Sequence, residues 1–385
     1  MAIKAKRTPK PADMSTDALK MLWYARLHPN LKSKWIVLIV FVNVFLSFLI
    51  IVLAVKGITL SYNDDLFFMS ECLQSCILLT HTSVKLVIMH SNKRDLARLI
   101  EKKSKFWQVV DFKDTPLYPQ CLIIATFVKK IIRFYFFTAM SAGIFFDLQP
   151  LTTGFLPTGC YVPQGWYNFL KVMMWYMSCV VLFSVQGTDC FFCSLASSLT
   201  VQFKLLAYKF KNLTIPSSND ENTGENLIWS ELQKLIDYHN YLLSYCEELN
   251  VVFRGVFLLQ FGISIASASL SVFIFMQPGD WTNRIKFLLY FAAIIVETGF
   301  YCVPLEFAMN IAQQIDDAVY DSNWYNIDGV QLKKSLGVII NRAQKPVIFS
   351  AYGMINMNLR TYILICKTVF SFYTYLNSAQ KLSVK

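Results

Sequence analysis

Charge is what this sequence has least of. Only 16% of its 385 residues are Asp, Glu, Lys or Arg, against about 25% in a soluble domain. The few charges are also kept out of long windows, which excludes an ordinary water-soluble globule. Histidine is scarcer still: His28, His81, His90 and His239 are the full set. They form no His-Glu-x-x-His pair and no histidine-box cluster, so the zinc-protease and membrane di-iron classes fall away. No Walker loop or dinucleotide glycine fingerprint is present. Cys190 and Cys193 have metal or redox spacing, but within an apolar segment both read as small packing residues. The expectation is a non-enzyme without cofactor or metal. A secondary transporter stays a distant reading, because no inverted repeat or matched pair of interrupted segments is visible.

What is present is hydrophobic length. The chain is 55% hydrophobic and 15% aromatic, and a spanning helix needs roughly 20 mostly apolar residues. Residues 35–55 and 255–279 meet that without a charge. Five further segments carry interruptions. Glu71 and Lys85 fall in 66–89, and Lys129, Lys130 and Arg133 open 127–146. Asp189 lies in 172–203, which is long enough to run on into the cytosol, and Glu297 and Glu306 lie in 287–311. The last, 346–376, is broken near Asn356 to Arg360 and reads as two half-segments. The fold expected is therefore an all-α integral membrane protein with seven transmembrane helices.

Basic residues orient it. A cytosolic N-terminus places 1–34, 91–119, 203–254 and 312–345 inside, with 8, 7, 5 and 4 Lys or Arg respectively. The outside then holds Lys56, Arg284, Lys286, Lys381 and Lys385, and 147–167 has no basic residue. The positive-inside rule gives an external C-terminus, opposite to G-protein-coupled receptors, and no Asp-Arg-Tyr follows the third span. The net charge of +11 suits contact with an anionic leaflet and calls for no nucleic acid. The first 34 residues, with Pro9, Pro11 and eight basic side chains, do not resemble a cleavable signal.

Three domains are expected: a basic cytosolic segment 1–34, spans one to six over 35–311 with a cytosolic loop 209–254, and 312–385 with the split seventh span. Residues 215–226 are polar and breaker-rich, so they read as a loop. After them Leu232, Leu235, Ile236, Leu242, Leu243 and Leu249 make one apolar helical face opposite Lys234, Asp237, Glu247 and Glu248. That face must pack on other cytosolic helix extensions, which implies an anchor bundle below the membrane. Asn212-Leu-Thr214 matches a glycosylation acceptor but falls inside, where it stays unused. Cys160 is the one cysteine of the outer loops, with Cys72 as its nearest candidate partner.

Aromatic residues concentrate in spans two to four. Phe67, Phe68, Tyr135, Phe136 and Trp175, with Met140 and Met174, suit the wall of a pocket for a small apolar ligand. Ser70 and Ser178 offer a few polar contacts, and Glu71 and Lys171 lie near outer span ends where water reaches them. Interfacial belts and lipid-facing packing explain many of these rings equally well.

The most specific pattern lies in the last quarter. Gly299-Phe-Tyr-Cys302 leads through Ile311-Ala-Gln-Gln314 to Ala318-Val-Tyr320 and Trp324-Tyr325. Ile339-Ile-Asn-Arg342-Ala-Gln-Lys-Pro346 and Ile365-Cys-Lys367 to Ser371-Phe-Tyr-Thr374-Tyr-Leu376 follow. With the weaker Gly187-Thr-Asp-Cys190 and Gln202-Phe-Lys-Leu205, these resemble the insect odorant receptors. The sister gustatory receptors close on Thr-Tyr-(apolar)-Gln-Phe. Here Thr374-Tyr375 is present without the Gln-Phe, so a gustatory-type channel is the runner-up.

The resemblance implies a ligand-tuned subunit of a non-selective cation channel, assembled as a heterotetramer with odorant receptor coreceptor subunits in the plasma membrane. It implies a pocket for a small volatile apolar ligand among spans two, three, four and six, adding Tyr290, and a fourfold cytosolic anchor in which Trp324 and Tyr325 face neighbouring subunits. It also implies a pore lined by the second half of span seven. There Lys367, Phe370, Ser371, Thr374 and Tyr375 share one face at helical spacing. Phe370 and Thr374 are the constriction candidates, with Ser371 and Tyr375 beside them. The competing reading has this face packed on span five.

Overall fold

A computed structural model describes residues 13–31, 35–60, 66–152, 154, 156–213, 221–277, 281–322, 324–326 and 330–383. The first twelve residues, Thr214 and 215–220 lie outside the described residues, and with them part of the basic N-terminal segment, the acceptor sequence and the expected loop. The chain is helical almost throughout: α1 (Thr16–Tyr24), α2 (Trp35–Leu60), α3 (Leu66–Ser91), α4 (Lys93–Lys103), α5 (Leu117–Thr152), α6 (Tyr167–Lys211), α7 (Glu221–Met276), α8 (Trp281–Gln313), α9 (Ile315–Tyr320), α10 (Val330–Ala343) and α11 (Leu359–Ser383). A two-stranded hairpin, β1 (Ser350–Ala351) and β2 (Ile355–Asn356), precedes α11.

Among the described residues, α2, α3, α6, α7 and α8 are long and apolar enough to cross a bilayer by length and composition. The expected third and seventh spans fall in α5 and α11. Their apolar runs are shortened by Lys129, Lys130, Arg133 and Asp147 in α5, and by Arg360, Lys367 and several hydroxyl residues in α11. The break expected in the seventh segment is a hairpin, not a junction of two half-helices. Tyr352 and Gly353 both take positive φ (52° and 75°), and the Met354 amide donates to the Ala351 carbonyl at 2.9 Å. Two consecutive positive φ angles in this three-residue loop suit a tight turn and cannot continue a helix. Gly353 thus serves this turn, rather than the close helix approach that an isolated glycine in a span suggests.

α6 is the central post. Every residue from Gly187 to Phe203 is buried, so this stretch has no solvent face and other helices surround it. α7 runs unbroken for 56 residues, roughly 84 Å at 1.5 Å per residue. That is far more than a hydrocarbon core of about 30 Å. Its first half packs Leu232, Leu235, Leu242 and Leu249 against the lower part of α6 and its neighbours, as the apolar face in the sequence requires. The Trp107 and Tyr238 rings stack at 3.9 Å and Tyr238 donates to Gln202 Oε1 at 2.6 Å, tying the α4–α5 connection to this bundle.

The N-terminal segment contains an element that the sequence reading did not foresee. α1 seats Ala18, Met21 and Leu22 in the core against α6. Gly187 admits it: a Cβ there would meet Met21 Cβ at 3.3 Å and the Leu22 amide at 3.4 Å. Asp13 and Ser15 receive Lys103 Nζ at 2.8 and 2.6 Å, and Arg133 donates to Asp17 at 2.8 Å. The helix closes with the Leu27 amide on the Leu22 carbonyl and the Arg26 amide on the Trp23 carbonyl, a Schellman motif. Its left-handed position (φ 60°) is held by Arg26, at a cost of about 1 kcal/mol for a residue with a Cβ.

One polar cluster joins the spans. Lys85 of α3, fully buried, donates to Asp189 of α6 at 2.7 Å and to Glu297 of α8 at 2.7 Å. Tyr301 donates to the same Asp189 oxygen, Tyr135 of α5 reaches its other oxygen at 3.4 Å, and His81 Nε2 lies 3.5 Å from Glu297. Removing one partner of a buried ion pair strands the other and costs about 3–5 kcal/mol. Lys85→Met should therefore lose most surface expression and heat resistance. Glu297→Gln leaves the Lys85–Asp189 pair intact and should cost about 1 kcal/mol or less. Equal losses in the two variants, read by fluorescence-detected size exclusion after heating, would refute the assignment.

A second prediction concerns the bundle at the basic end of the helices. Burial, together with Arg342 nearby, holds His239 below the usual imidazole range, at about 4. The unfolded chain binds that proton more tightly, so the stability is fully present above about pH 6.5 and drains as pH falls toward 4. At pH 5 the loss from this residue is roughly 2 kcal/mol. His239→Gln should flatten the fall in thermal midpoint between pH 7 and pH 5. An unchanged slope would remove His239 as its source.

Candidate functional site

In the halves of α3, α5, α6 and α8 away from the basic loops, the structure gathers five of the sequence candidates, Glu71, Lys171, Trp175, Ser178 and Tyr290, around partners that were not among them. Lys286 of α8, only 4% exposed, donates to Glu71 of α3 at 2.8 Å and reaches Gln149 Oε1 of α5 at 3.5 Å. Its ammonium also lies 5.4 Å from the Phe146 ring centre, and Phe146 stacks on Tyr290 at 5.3 Å. Lys286 is therefore not a solvated outer-loop cation, as its count on the outside assumed. It satisfies its charge inside the helix bundle with a carboxylate, an amide oxygen and a ring face.

Beside this group, Trp175 Nε1 donates to the Asp147 carbonyl at 2.9 Å and Ser178 Oγ to Asp147 Oδ1 at 3.0 Å. The partly buried Lys171 places its ammonium 5.7 Å from both the Tyr167 and Trp175 rings, within reach of cation–π contact. Phe68 and Met174 belong to a separate apolar cluster with Cys72, Leu156 and Cys160. There the outer connection is pressed onto α3, since a Cβ on Gly159 would come within 2.7 Å of the Cys72 amide nitrogen. Cys72 and Cys160 meet in that cluster as buried free thiols. Ser70 spends its hydroxyl on the Leu66 carbonyl of its own helix at 2.7 Å.

Other candidates stand apart. Tyr135 belongs to the Lys85 cluster, one level deeper, with Phe300 at 4.2 Å. Phe136 packs on Phe183 at 5.8 Å, and Phe67 and Met140 are half-buried without a polar role. A cavity of about 640 Å³ opens at the basic end of the molecule, lined by Lys105, Trp107, Phe112, Lys209 and Tyr238 among others, away from the outer group.

In α11, Ile365 and Val369 pack with Ala268 and Val272 of α7. The adjoining face carries Phe370 at 55% and Tyr375 at 69% exposure, with Ser371 and Thr374 also exposed. The face that packs on span five is thus not the one with the pore candidates. Trp324 is half-buried and donates to the Tyr320 carbonyl at 3.2 Å, whereas Tyr325 is exposed.

Residues 65–370 match the family model described as 7tm Odorant receptor. The chain belongs to the insect odorant receptor family. Among curated odorant receptors of Drosophila melanogaster, odorant receptor 82a is 24% identical over 363 residues, covering 87% of this chain and 91% of its own length. Odorant receptor 42b is also 24% identical, covering 78% of this chain and 76% of its own. The olfactory receptor OR5 from Machilis hrabei has the same fold. It superposes with a TM-score of 0.73 at 15% identity over 90% of both chains, and its complex with eugenol with 0.77 at 14% identity over 96% and 99%.

An odorant receptor is a multi-pass membrane receptor rather than an enzyme, and α5 and α11 complete its seven spans. In this odorant receptor the sequence alone missed Lys286, Gln149 and Asp147 at the outer group and the pairing of Lys85 with Asp189 and Glu297. The signal was available. Each of these three is a charge interrupting an apolar span, and intramembrane charges of opposite sign seek one another.

The Glu71–Lys286 contact can be measured by a double-mutant cycle. Glu71→Gln and Lys286→Met, singly and together, should show a coupling of about 1–3 kcal/mol in heat stability of the solubilised receptor. Additive single losses would mean that the two side chains do not interact.

Proposed function

We propose that this odorant receptor is the ligand-binding subunit of a heteromeric, ligand-gated, non-selective cation channel of the plasma membrane, assembled with coreceptor subunits. The observation that carries the reading is the face of α11 bearing Lys367, Phe370, Ser371, Thr374 and Tyr375. One side of α11 is packed on α7, while this aromatic and hydroxyl side is exposed among the described residues. Such a face suits neighbouring subunits around a central pathway. Ser371 and Thr374 already donate to backbone carbonyls of their own helix, at 3.1 and 2.7 Å. Each keeps oxygen lone pairs free to meet a partly hydrated cation.

The ligand is a small, largely apolar, uncharged volatile held among Phe146, Tyr290 and Trp175, with Ser178 and the Glu71–Lys286 pair as polar neighbours. That the related receptor from Machilis hrabei was solved with eugenol supports this ligand class. The cytosol lies on the side of the basic loops, and Tyr325 and Trp324 belong to the surface offered to other subunits.

Whole-cell current in cells expressing the chain alone, and with an insect odorant coreceptor, tests the reading under a panel of volatiles. Current only on co-expression is expected, and Phe370→Ala or Thr374→Ala should change relative cation permeability by more than about twofold with little change in half-maximal concentration. Full current from the chain alone would sink the heteromeric assignment. Unchanged permeability in both variants would move the pore away from this face.

A further inference from the structure

We propose that the outward face of α1 and the adjoining start of span three form a binding site for the headgroup of an anionic phospholipid, in the leaflet that the basic loops face. α1 is amphipathic. With Ala18, Met21 and Leu22 seated on α6 at Gly187, it turns Lys20, Trp23, Tyr24 and Arg26 outward. Tyr24 meets Phe183 of span four at 5.4 Å, and Phe183 in turn meets Phe136 of span three, so the end of α1 lies against both of these spans, beside the basic residues that open span three. Trp23 is 46% and Tyr24 61% exposed, the amphipathic pair that settles at a membrane boundary.

Charge complements the aromatics. Arg26 and Lys20 stand on α1 and Lys130 and Arg133 on the facing turn of α5, all with exposed side chains. Asp17, paired with Arg133 at 2.8 Å, is the acidic group among them. A phosphate met by guanidinium donors, above a ring that accommodates glycerol and acyl carbons, is what such a face recognises.

The second, independent observation is the position of Arg26. It holds the left-handed site of a Schellman motif, where glycine fits without strain, and its guanidinium lies 5.4 Å over the Trp23 ring. A purely structural cap would be better served by glycine. An arginine at that strained position brings a charge that the cap itself does not need.

The test exploits that difference. The full-length chain, solubilised in neutral detergent, is melted with phosphatidylcholine, with phosphatidylserine, or with the soluble headgroup glycerophosphoserine. Phosphatidylserine should raise the thermal midpoint by about 2 °C or more beyond phosphatidylcholine, and glycerophosphoserine should not reproduce the gain. Arg26→Gly should melt higher than the parent without lipid yet lose the phosphatidylserine-specific gain, whereas Arg26→Lys, which keeps the charge, should retain most of it. Equal midpoints in the two lipids, a full gain in Arg26→Gly, or the same gain from glycerophosphoserine would each overturn the proposal.

Discussion

The fold depends on one lysine being held dry. Lys85 sits in a span, fully buried, and its charge is tolerable only because α6 and α8 deliver Asp189 and Glu297 to it at hydrogen-bond distance. That requirement fixes the relative rotation of three long helices, since each must present one particular side chain inward at one depth. Tyr135 and Tyr301 extend the constraint to α5 and complete the coordination of Asp189. Apolar packing alone could slide by a turn; this cluster cannot. Between helices in lipid, where hydrophobic driving force is weak, a polar contact of this kind specifies register.

The Glu71–Lys286 group and the deep cluster join the same helix pair, α3 and α8, at two different levels. Glu71 and Lys286 close that pair at one level, and Lys85 and Glu297 close it roughly three to four turns further along. A ligand inserted among Phe146, Tyr290 and Lys286 disturbs a contact whose helices are fixed at the other level. It shifts the population toward whichever arrangement binds it more tightly.

Much of this was legible in the sequence. Seven apolar stretches, the amphipathic face continuing into the fifth span, and the break before the last helix all rest on periodicity and composition, which act locally. The Gly299 to Cys302 and Trp324-Tyr325 patterns carried the family. The pairing at the Glu71 end of the helices was not legible. Glu71 and Lys286 are 215 residues apart, and nothing local announces that a lysine counted in an outer connection bends back among rings. α1 was hidden for a related reason. It is nine residues long, too short to be stable alone, and it exists because α6 offers a glycine where its backbone can approach. The hairpin at Tyr352–Gly353 was hidden inside an apolar half-segment, with the break expected a few residues later near Asn356 to Arg360, because two residues at positive φ leave only a faint compositional trace.

That hairpin also gives α11 a fulcrum. The Ser350 amide is bound to Asn250 of α7 at 2.8 Å, the Arg254 guanidinium lies 4.8 Å over the Tyr352 ring, and the Met357 amide reaches back to Phe349. The near end of α11 is thereby pinned to the longest helix in the molecule. Beyond it the helix runs 25 residues, roughly 37 Å at 1.5 Å per residue. A lever of that length turns small angles into large strokes: a tilt of about 3° at the fulcrum carries its far end about 2 Å, on the scale of the helix shifts that accompany switching.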